Sequence, residues 1–161
     1  HSGAARIIAL DLLDEKLTLA HQFGATHSVN SGRPNCVEQV LALTDGRGVD
    51  YVFVTVGVKA AIEQSLSLLA KSGTAVIVGM PASGVLAEFD PAALAANGQS
   101  LIGSKMGSAS VKRDIPKLAA LYQSGDLRLD ELISKRYVLD EINEAIASVK
   151  RGEALRNVVI F

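Results

Sequence analysis

A strand-then-helix pattern, repeated over residues 6–104, narrows the fold more than any other feature of this chain. Its strongest unit is Asp50-Tyr51-Val52-Phe53-Val54-Thr55-Val56, β-branched and aromatic, and apolar on both faces apart from Thr55. A strand covered by helices on both sides reads this way. Arg6-Ile7-Ile8-Ala9-Leu10-Asp11 and Thr74-Ala75-Val76-Ile77-Val78-Gly79 share the texture, and residues 26–29 and 100–104 are shorter β-leaning runs. Helical spacing fills the intervals. Leu13, Leu17, Ala20 and Gly24 share one face; Val37, Val40 and Leu41 mark a second helix after a loop from Asn30 to Pro34. Ile62, Leu66 and Leu69 mark a third, stopped at Lys71-Ser72-Gly73. Asp90-Pro91 reads as an N-cap with proline at N1, opening a short helix to about Ala96. Such alternation with short loops predicts right-handed βαβ crossovers and a parallel sheet, hence an α/β fold.

Beyond about Met106 the texture changes. Ile115, Leu118, Ala119 and Tyr122 make an amphipathic helix, in which Pro116 is tolerable only near the first turn. Arg136-Tyr137-Val138 is strand-like, Ile142, Ala145, Ile146 and Val149 mark a last helix closed by Gly152, and Asn157 to Phe161 is a terminal strand. We therefore expect two regions, 1–105 and 106–161.

Composition excludes several classes of function. A net charge of −1 suggests neither nucleic acid nor an anionic membrane surface as partner. Cys36 is the only cysteine, so no internal disulfide is possible, and a reducing, cytoplasmic compartment is expected. No apolar run approaches the roughly 18–20 residues a membrane helix needs, and no basic-then-apolar signal segment opens the sequence. With 48% apolar residues, the chain can bury a real core.

Asp11 is the residue with the most specific chemical reading. An acid at the carboxyl end of a buried strand, in a dinucleotide-binding fold, accepts hydrogen bonds from the hydroxyls of the adenosine ribose. A carboxylate suits two neighbouring hydroxyls and repels a 2′-phosphate, which favours NAD over NADP. A helix N-cap or plain loop aspartate is the alternative at this point. The companion motif, G-x-G-x-x-G about 20 residues upstream, is not found. Ten residues precede Asp11, Gly46-x-Gly48 lacks the third glycine, and Gly103-x-x-x-Gly107 has other spacing. In the strand order 3-2-1-4-5-6 the first strand is central. The five strands here number as second to sixth, so they predict a pair and a triplet with an empty slot between them. Each side of the slot would expose unpaired backbone. We expect the slot to close, to be filled by another chain, or to mark a fragment that folds poorly alone.

In order and spacing, several pieces resemble the C-terminal half of a zinc-dependent, medium-chain alcohol dehydrogenase. They are Gly3-Ala4-Ala5-Arg6-Ile7-Ile8, Gly48-Val49-Asp50, Val76-Ile77-Val78-Gly79, Gly103 to Ser108, Asp114-Ile115-Pro116-Lys117-Leu118, Glu141-Ile142-Asn143-Glu144-Ala145 and Arg156 to Phe161. The resemblance implies a Rossmann-type doubly wound parallel sheet lacking its first strand and Gly-rich turn, followed by a C-terminal segment of the catalytic, GroES-like domain. It implies roles position by position. Asp11 would bind the ribose with help from Lys16. Thr55, Val56 and Gly57 would lie beside adenine and ribose. Val78 and Ser104 would offer backbone carbonyls, and Met106 a backbone N–H, to the nicotinamide carboxamide. Gly79 and Met80 would line the nicotinamide pocket, and Arg156 would pair with the pyrophosphate. Residues 100–104 would join two subunits edge to edge.

In that family zinc polarises the alcohol and hydride passes to NAD, with the metal ligands in residues that precede this stretch. Cys36, His1, His21 and His27 show no metal-ligand spacing. We assign no catalytic residue and no metal site here, and expect the chain alone to be inactive on alcohols. His21 is expected to be solvated, His27 a satisfied sheet residue and Cys36 a small buried apolar group. Two other readings compete: an NADPH-dependent, quinone-reductase-like relative without zinc, and a non-catalytic nucleotide-binding or assembly module. A methyltransferase would need a closing antiparallel hairpin, which Val76 to Gly79 followed by Pro81 and a helix does not supply.

Overall fold

The computed structural model describes residues 3–161. The chain divides into two compact units, residues 1–108 and 109–161. In the first, β1 (Ile8–Asp11), α1 (Asp14–Ala20), β2 (His27–Asn30), α2 (Cys36–Ala42), β3 (Val49–Val54), α3 (Lys59–Ser67), β4 (Leu69–Ile77), α4 (Pro91–Ala96) and β5 (Ser100–Gly103) follow one another. All strand pairs are parallel, in the register Ile8↔His27 to Asp11↔Asn30, Tyr51↔Thr74 to Val54↔Ile77 and Thr74↔Ser100 to Ile77↔Gly103.

Those strands form two sheets: a pair, β1-β2, and a triplet, β3-β4-β5. This is the split that removing a central first strand predicts. No hydrogen-bonded pairing joins β1 to β3, so the slot has not closed. What unites the halves is α2. Cys36 and Val40, each 1% exposed, form one core with Val29 of β2 and Leu68, and Ile8, Leu10, Val49 and Val52 pack against it. At one end, the Arg6 guanidinium bonds the Leu43 carbonyl and lies 3.6 Å from the Asp45 carboxylate. Arg6 precedes β1 and Asp45 precedes β3, so the two strands start at the same end of the unit.

Three local expectations are corrected. Leu69 is not on the third helix: α3 stops at Ser67, and β4 opens at Leu69, opposite Val49. The Val49 N–H bonds the Leu68 carbonyl, so pairing with β3 takes over from the helix there, and an irregular stretch with Ser72 at φ 59° follows before register resumes at Thr74. Second, β3 is not covered on both faces. Tyr51 and Phe53, both 64% exposed, stack at 6.3 Å on an open face, because no described helix lies over it. Third, Pro116 lies beyond the first turn.

The second unit holds α5 (Val111–Gln123), β6 (Ile133–Val138), α6 (Ile142–Lys150) and β7 (Arg156–Ile160). Pro116 is the sixth residue of α5, and the helix continues through it. The missing N–H falls just past the donors that any helix leaves unpaired, so only one ladder bond is lost. β6 and β7 are parallel, joined by the α6 crossover. A small polar knot holds it: Tyr137 Oη donates to Ser148 Oγ at 3.4 Å, Ser148 Oγ donates to the Ala145 carbonyl at 3.1 Å, and Asn157 Nδ2 reaches that carbonyl at 2.9 Å.

Because α2 is the shared core of both sheets, Val40→Ala should lower the stability of the first unit by about 2 kcal/mol, read from urea denaturation. A loss below about 0.5 kcal/mol, as expected of a surface change, would refute the bridging role.

Candidate functional site

In a parallel α/β sheet, ligands bind outside the carboxyl ends of the strands. Residues predicted for the site collect at those ends in the first unit. The loops after β3 and β4 cross there with no room to spare. A Cβ on Gly57 would stand 2.3 Å from the Met80 carbonyl oxygen, and a Cβ on Gly79 would stand 2.4 Å from the Val56 carbonyl carbon. The N–H groups of Val78 and Gly79 both donate to the Val54 carbonyl, at 2.9 and 2.8 Å. Thr55, Val56, Gly57, Val78, Gly79 and Met80 are thus brought together by backbone contact, which only glycine at 57 and 79 permits. Ser104 joins the same edge, its N–H donating to the Ile77 carbonyl at 2.9 Å. Met106 opens the short helical turn that follows. The side chains of Val56 and Met80 are exposed, leaving an apolar rim beside the crossing.

Asp11 ends β1, half-buried. Its Oδ1 accepts the Leu13 N–H at 3.0 Å, which orients the carboxylate and leaves Oδ2 without a hydrogen bond among the described residues. The cap position before α1 is Leu13, not Asp11, so the N-cap alternative fails. Asp14 and Glu15 occupy the first turn of α1, where negative charge is favoured by the helix dipole. Lys16, half-buried on the same helix, forms no ion pair among the described residues. Arg156 is in the second unit, at the start of β7, and exposed.

Two contributors were not foreseen. Leu12, directly after Asp11, is exposed, and its Cδ2 lies so close to Gly32 that a Cβ there would stand 3.1 Å away. An apolar residue following a strand-terminal acid was the available signal. The sequence pattern places Asn30 in a loop, yet β2 ends on it, opposite Asp11.

Among the described residues, His21, His27 and Cys36 do not form a metal site. His21 is exposed but engaged: Nδ1 faces the Ala25 carbonyl at 2.9 Å and so carries the proton, while Nε2 faces Ser28 Oγ at 3.1 Å. His27 Nδ1 meets Thr26 Oγ1 at 2.9 Å, and His1 lies outside the described residues. Burial, then the charge of Glu38, pushes the Cys36 thiol up, which disfavours the thiolate a metal requires. Among the described residues no group of three or more His, Cys, Asp or Glu side chains could hold a metal ion. The residues present therefore do not fit a catalytic zinc, which takes three protein ligands and an open position. Nor is any described helix long and apolar enough to cross a membrane.

Gly79→Ala should cost about 2 kcal/mol or more in stability by overpacking against the Val56 backbone, whereas Gly103→Ala, with open space around its Cβ position, should cost well under 1 kcal/mol. Equal losses in chemical denaturation would show that the crossing is not tight.

The sequence-family description "Zinc-binding dehydrogenase" matches residues 1–124. The chain is 33% identical to the NDMA-dependent alcohol dehydrogenase of Amycolatopsis methanolica, over 99% of this chain and 44% of that protein. It is 35% identical to the geraniol dehydrogenase of Carpoglyphus lactis, over 100% of this chain and 42% of that one. Among solved structures, benzyl alcohol dehydrogenase from Acinetobacter calcoaceticus superposes with a TM-score of 0.92 at 36% identity, covering 98% of this chain and 43% of that chain. A zinc-binding dehydrogenase from Sinorhizobium meliloti, bound to NADP, superposes with a TM-score of 0.88 at 28% identity, covering 99% and 46%. The chain thus spans less than half the length of these relatives.

Proposed function

Because this chain belongs to the zinc-binding dehydrogenase family, we propose that residues 1–105 are the coenzyme-binding part of an NAD-linked alcohol or aldehyde oxidoreductase. Residues 106–161 would return to its catalytic domain. The observation that carries the reading is Asp11: a carboxylate at the carboxyl end of a parallel strand, oriented through one oxygen and open at the other. Two ribose hydroxyls would donate to it, and a 2′-phosphate would meet its negative charge. No arginine stands in Leu12-Leu13-Asp14 to receive such a phosphate, although one relative of similar fold binds NADP. Lys16 would reach the same ribose from α1.

The glycine crossing supports the rest of the reading. Thr55, Val56 and Gly57 would border adenine and ribose, and Gly79 and Met80 the nicotinamide. The Val78 and Ser104 carbonyls and the Met106 N–H would hold the carboxamide, and Arg156 would meet the pyrophosphate. NAD supplies a hydride acceptor when bound; this chain's residues bind and orient it. The zinc that polarises the alcohol would be held by polypeptide outside these residues, so no step of the reaction is assigned to side chains here. The substrate class is a small alcohol or aldehyde, in a cytoplasmic, reducing setting that suits one buried thiol.

A homo-oligomer is part of the proposal. Among the described residues β5 pairs with β4 alone, all four of its residues are exposed, and it carries no charge. Such an edge extends a sheet readily into a second copy. Replacing Leu101 and Ile102 together by lysine should convert a dimer to a monomer in sedimentation velocity; an unmutated chain that sediments as a monomer would defeat this part.

The coenzyme reading is tested by a thermal melt with and without NAD. A ligand bound only by the folded state adds RT ln(1 + [L]/Kd), about 2.7 kcal/mol at a hundredfold excess over Kd. The expected result is an upward shift with NAD, a smaller one with NADP, and loss of the difference in Asp11→Ala. A sharp melt indifferent to NAD would overturn the proposal.

A further inference from the structure

We propose that Asn30 is a positioning residue for the coenzyme: it fixes the loop Asp11–Asp14 and thereby sets discrimination between a free and a phosphorylated 2′ position on the ribose. This rests on the reading of Asp11 as the ribose acid and adds a residue that acts through the turn holding Asp11.

Asn30 ends β2 as the register partner of Asp11 at the end of β1. Both amide hydrogens and the amide oxygen are engaged. Nδ2 donates to the Leu12 carbonyl at 3.0 Å and to Asp14 Oδ1 at 2.7 Å, while Oδ1 accepts the Gly32 N–H at 2.9 Å. These partners fix which way the amide points. A carbonyl and an ionised carboxylate only accept, and a backbone N–H only donates, so the flipped amide would set like against like at all three contacts. The site requires two donors and one acceptor from a short side chain. Ionised aspartate could serve only Gly32, and serine has too few donors.

The consequence falls on Asp11. Its own Oδ1 holds the Leu13 N–H at 3.0 Å, and its carbonyl accepts the Ser31 N–H at 3.0 Å. Leu12 and Asp14, on either side of Leu13, are tied by Asn30, and Arg33 lies 3.6 Å from Asp14. The turn that sets the carboxylate's direction is thus clamped from β2 by one side chain. Leu13 provides no side-chain cap to α1, so beyond its main-chain bonds at the Asp11 and Leu13 carbonyls the turn without Asn30 keeps the bond to the Asp11 carboxylate and an exposed ion pair of little worth. A carboxylate that must meet two hydroxyls at once depends on that direction, and a displacement of about an ångström is enough to lose much of the interaction.

The test compares binding of ADP-ribose and 2′-phospho-ADP-ribose by isothermal titration, in the unmutated chain, Asn30→Ala and Asn30→Asp, with a melt of each to verify folding. Asn30→Ala should weaken ADP-ribose about tenfold and leave the 2′-phosphorylated ligand nearly unchanged, so the preference between them collapses. Asn30→Asp keeps the side chain's shape, loses both donors, and should do the same or more. A folded variant with an unchanged ratio overturns the proposal, as does an equal loss for both ligands, the mark of a merely structural residue. If both variants fail to fold, Asn30 is a determinant of the fold and the positioning role is overturned. If the unmutated chain binds neither ligand, it is the ribose reading of Asp11 that fails, and this inference falls with it.

Discussion

The contact between α2 and both sheets is the constraint on which the first unit depends. Backbone hydrogen bonds hold β1 to β2 and β3 to β4 and β5, but none spans the two groups. A two-stranded parallel pair has little stability of its own, and it is kept by burial of Cys36 and Val40 against Val29 on one side and Leu68 on the other. Hydrophobic burial is non-directional, so it can bridge a gap that hydrogen bonds cannot. It fixes the pair less strictly than a continuous ladder would. The Arg6 contacts with the Leu43 carbonyl and Asp45 add direction at one end, although an exposed pair of this kind contributes little energy.

At the other end lie the residues proposed to face the coenzyme, and their order follows from different forces. Around β3 and β4 the geometry is set by backbone against backbone: Gly57 and Gly79 let two loops cross at a distance no side chain would allow. That arrangement is rigid because it is steric. Around β1 it is set by hydrogen bonds, from Asp11 to Leu13 and from Asn30 to Leu12, Asp14 and Gly32. The two halves of the proposed coenzyme site are therefore held by packing on one side and by a polar clamp on the other, joined through the core around α2.

The parts of this design that were legible in the sequence are those with a strong local cause. Strand texture and helical spacing located the elements, Asp90-Pro91 gave a cap whose carboxylate does take the Ala92 and Ala93 N–H groups, and Gly24 closes the first helical segment at φ 98°. The split into a pair and a triplet was legible because strand order, not propensity, decides it. What misled the reading was tertiary in origin. Leu69 continues a helical spacing, yet β3 needs a pairing partner at Val49, and the ladder outcompetes another half-turn of helix. Tyr51 and Phe53 read as core because their chemistry is core chemistry; whether anything covers them depends on elements elsewhere. Asn30 looked like a loop residue because asparagine is common in loops, and its three partners are distributed over positions 12, 14 and 32, a convergence no local window displays.

This difference in origin bears on how such a site tolerates change. Main-chain carbonyls and N–H groups at positions 78, 104 and 106 exist whatever side chains stand there, so that part of the proposed site depends on strand placement alone. The glycines at 57 and 79 are the exception, since they admit no replacement without moving a neighbouring backbone. The β1 side is the reverse case. Its chemistry rests on one carboxylate and its aim on one amide, both side chains, and neither is rescued by a correct backbone. In the proposed site, selectivity among coenzymes would therefore have its seat at Asp11 and Asn30, where a single substitution changes charge or direction rather than apolar packing.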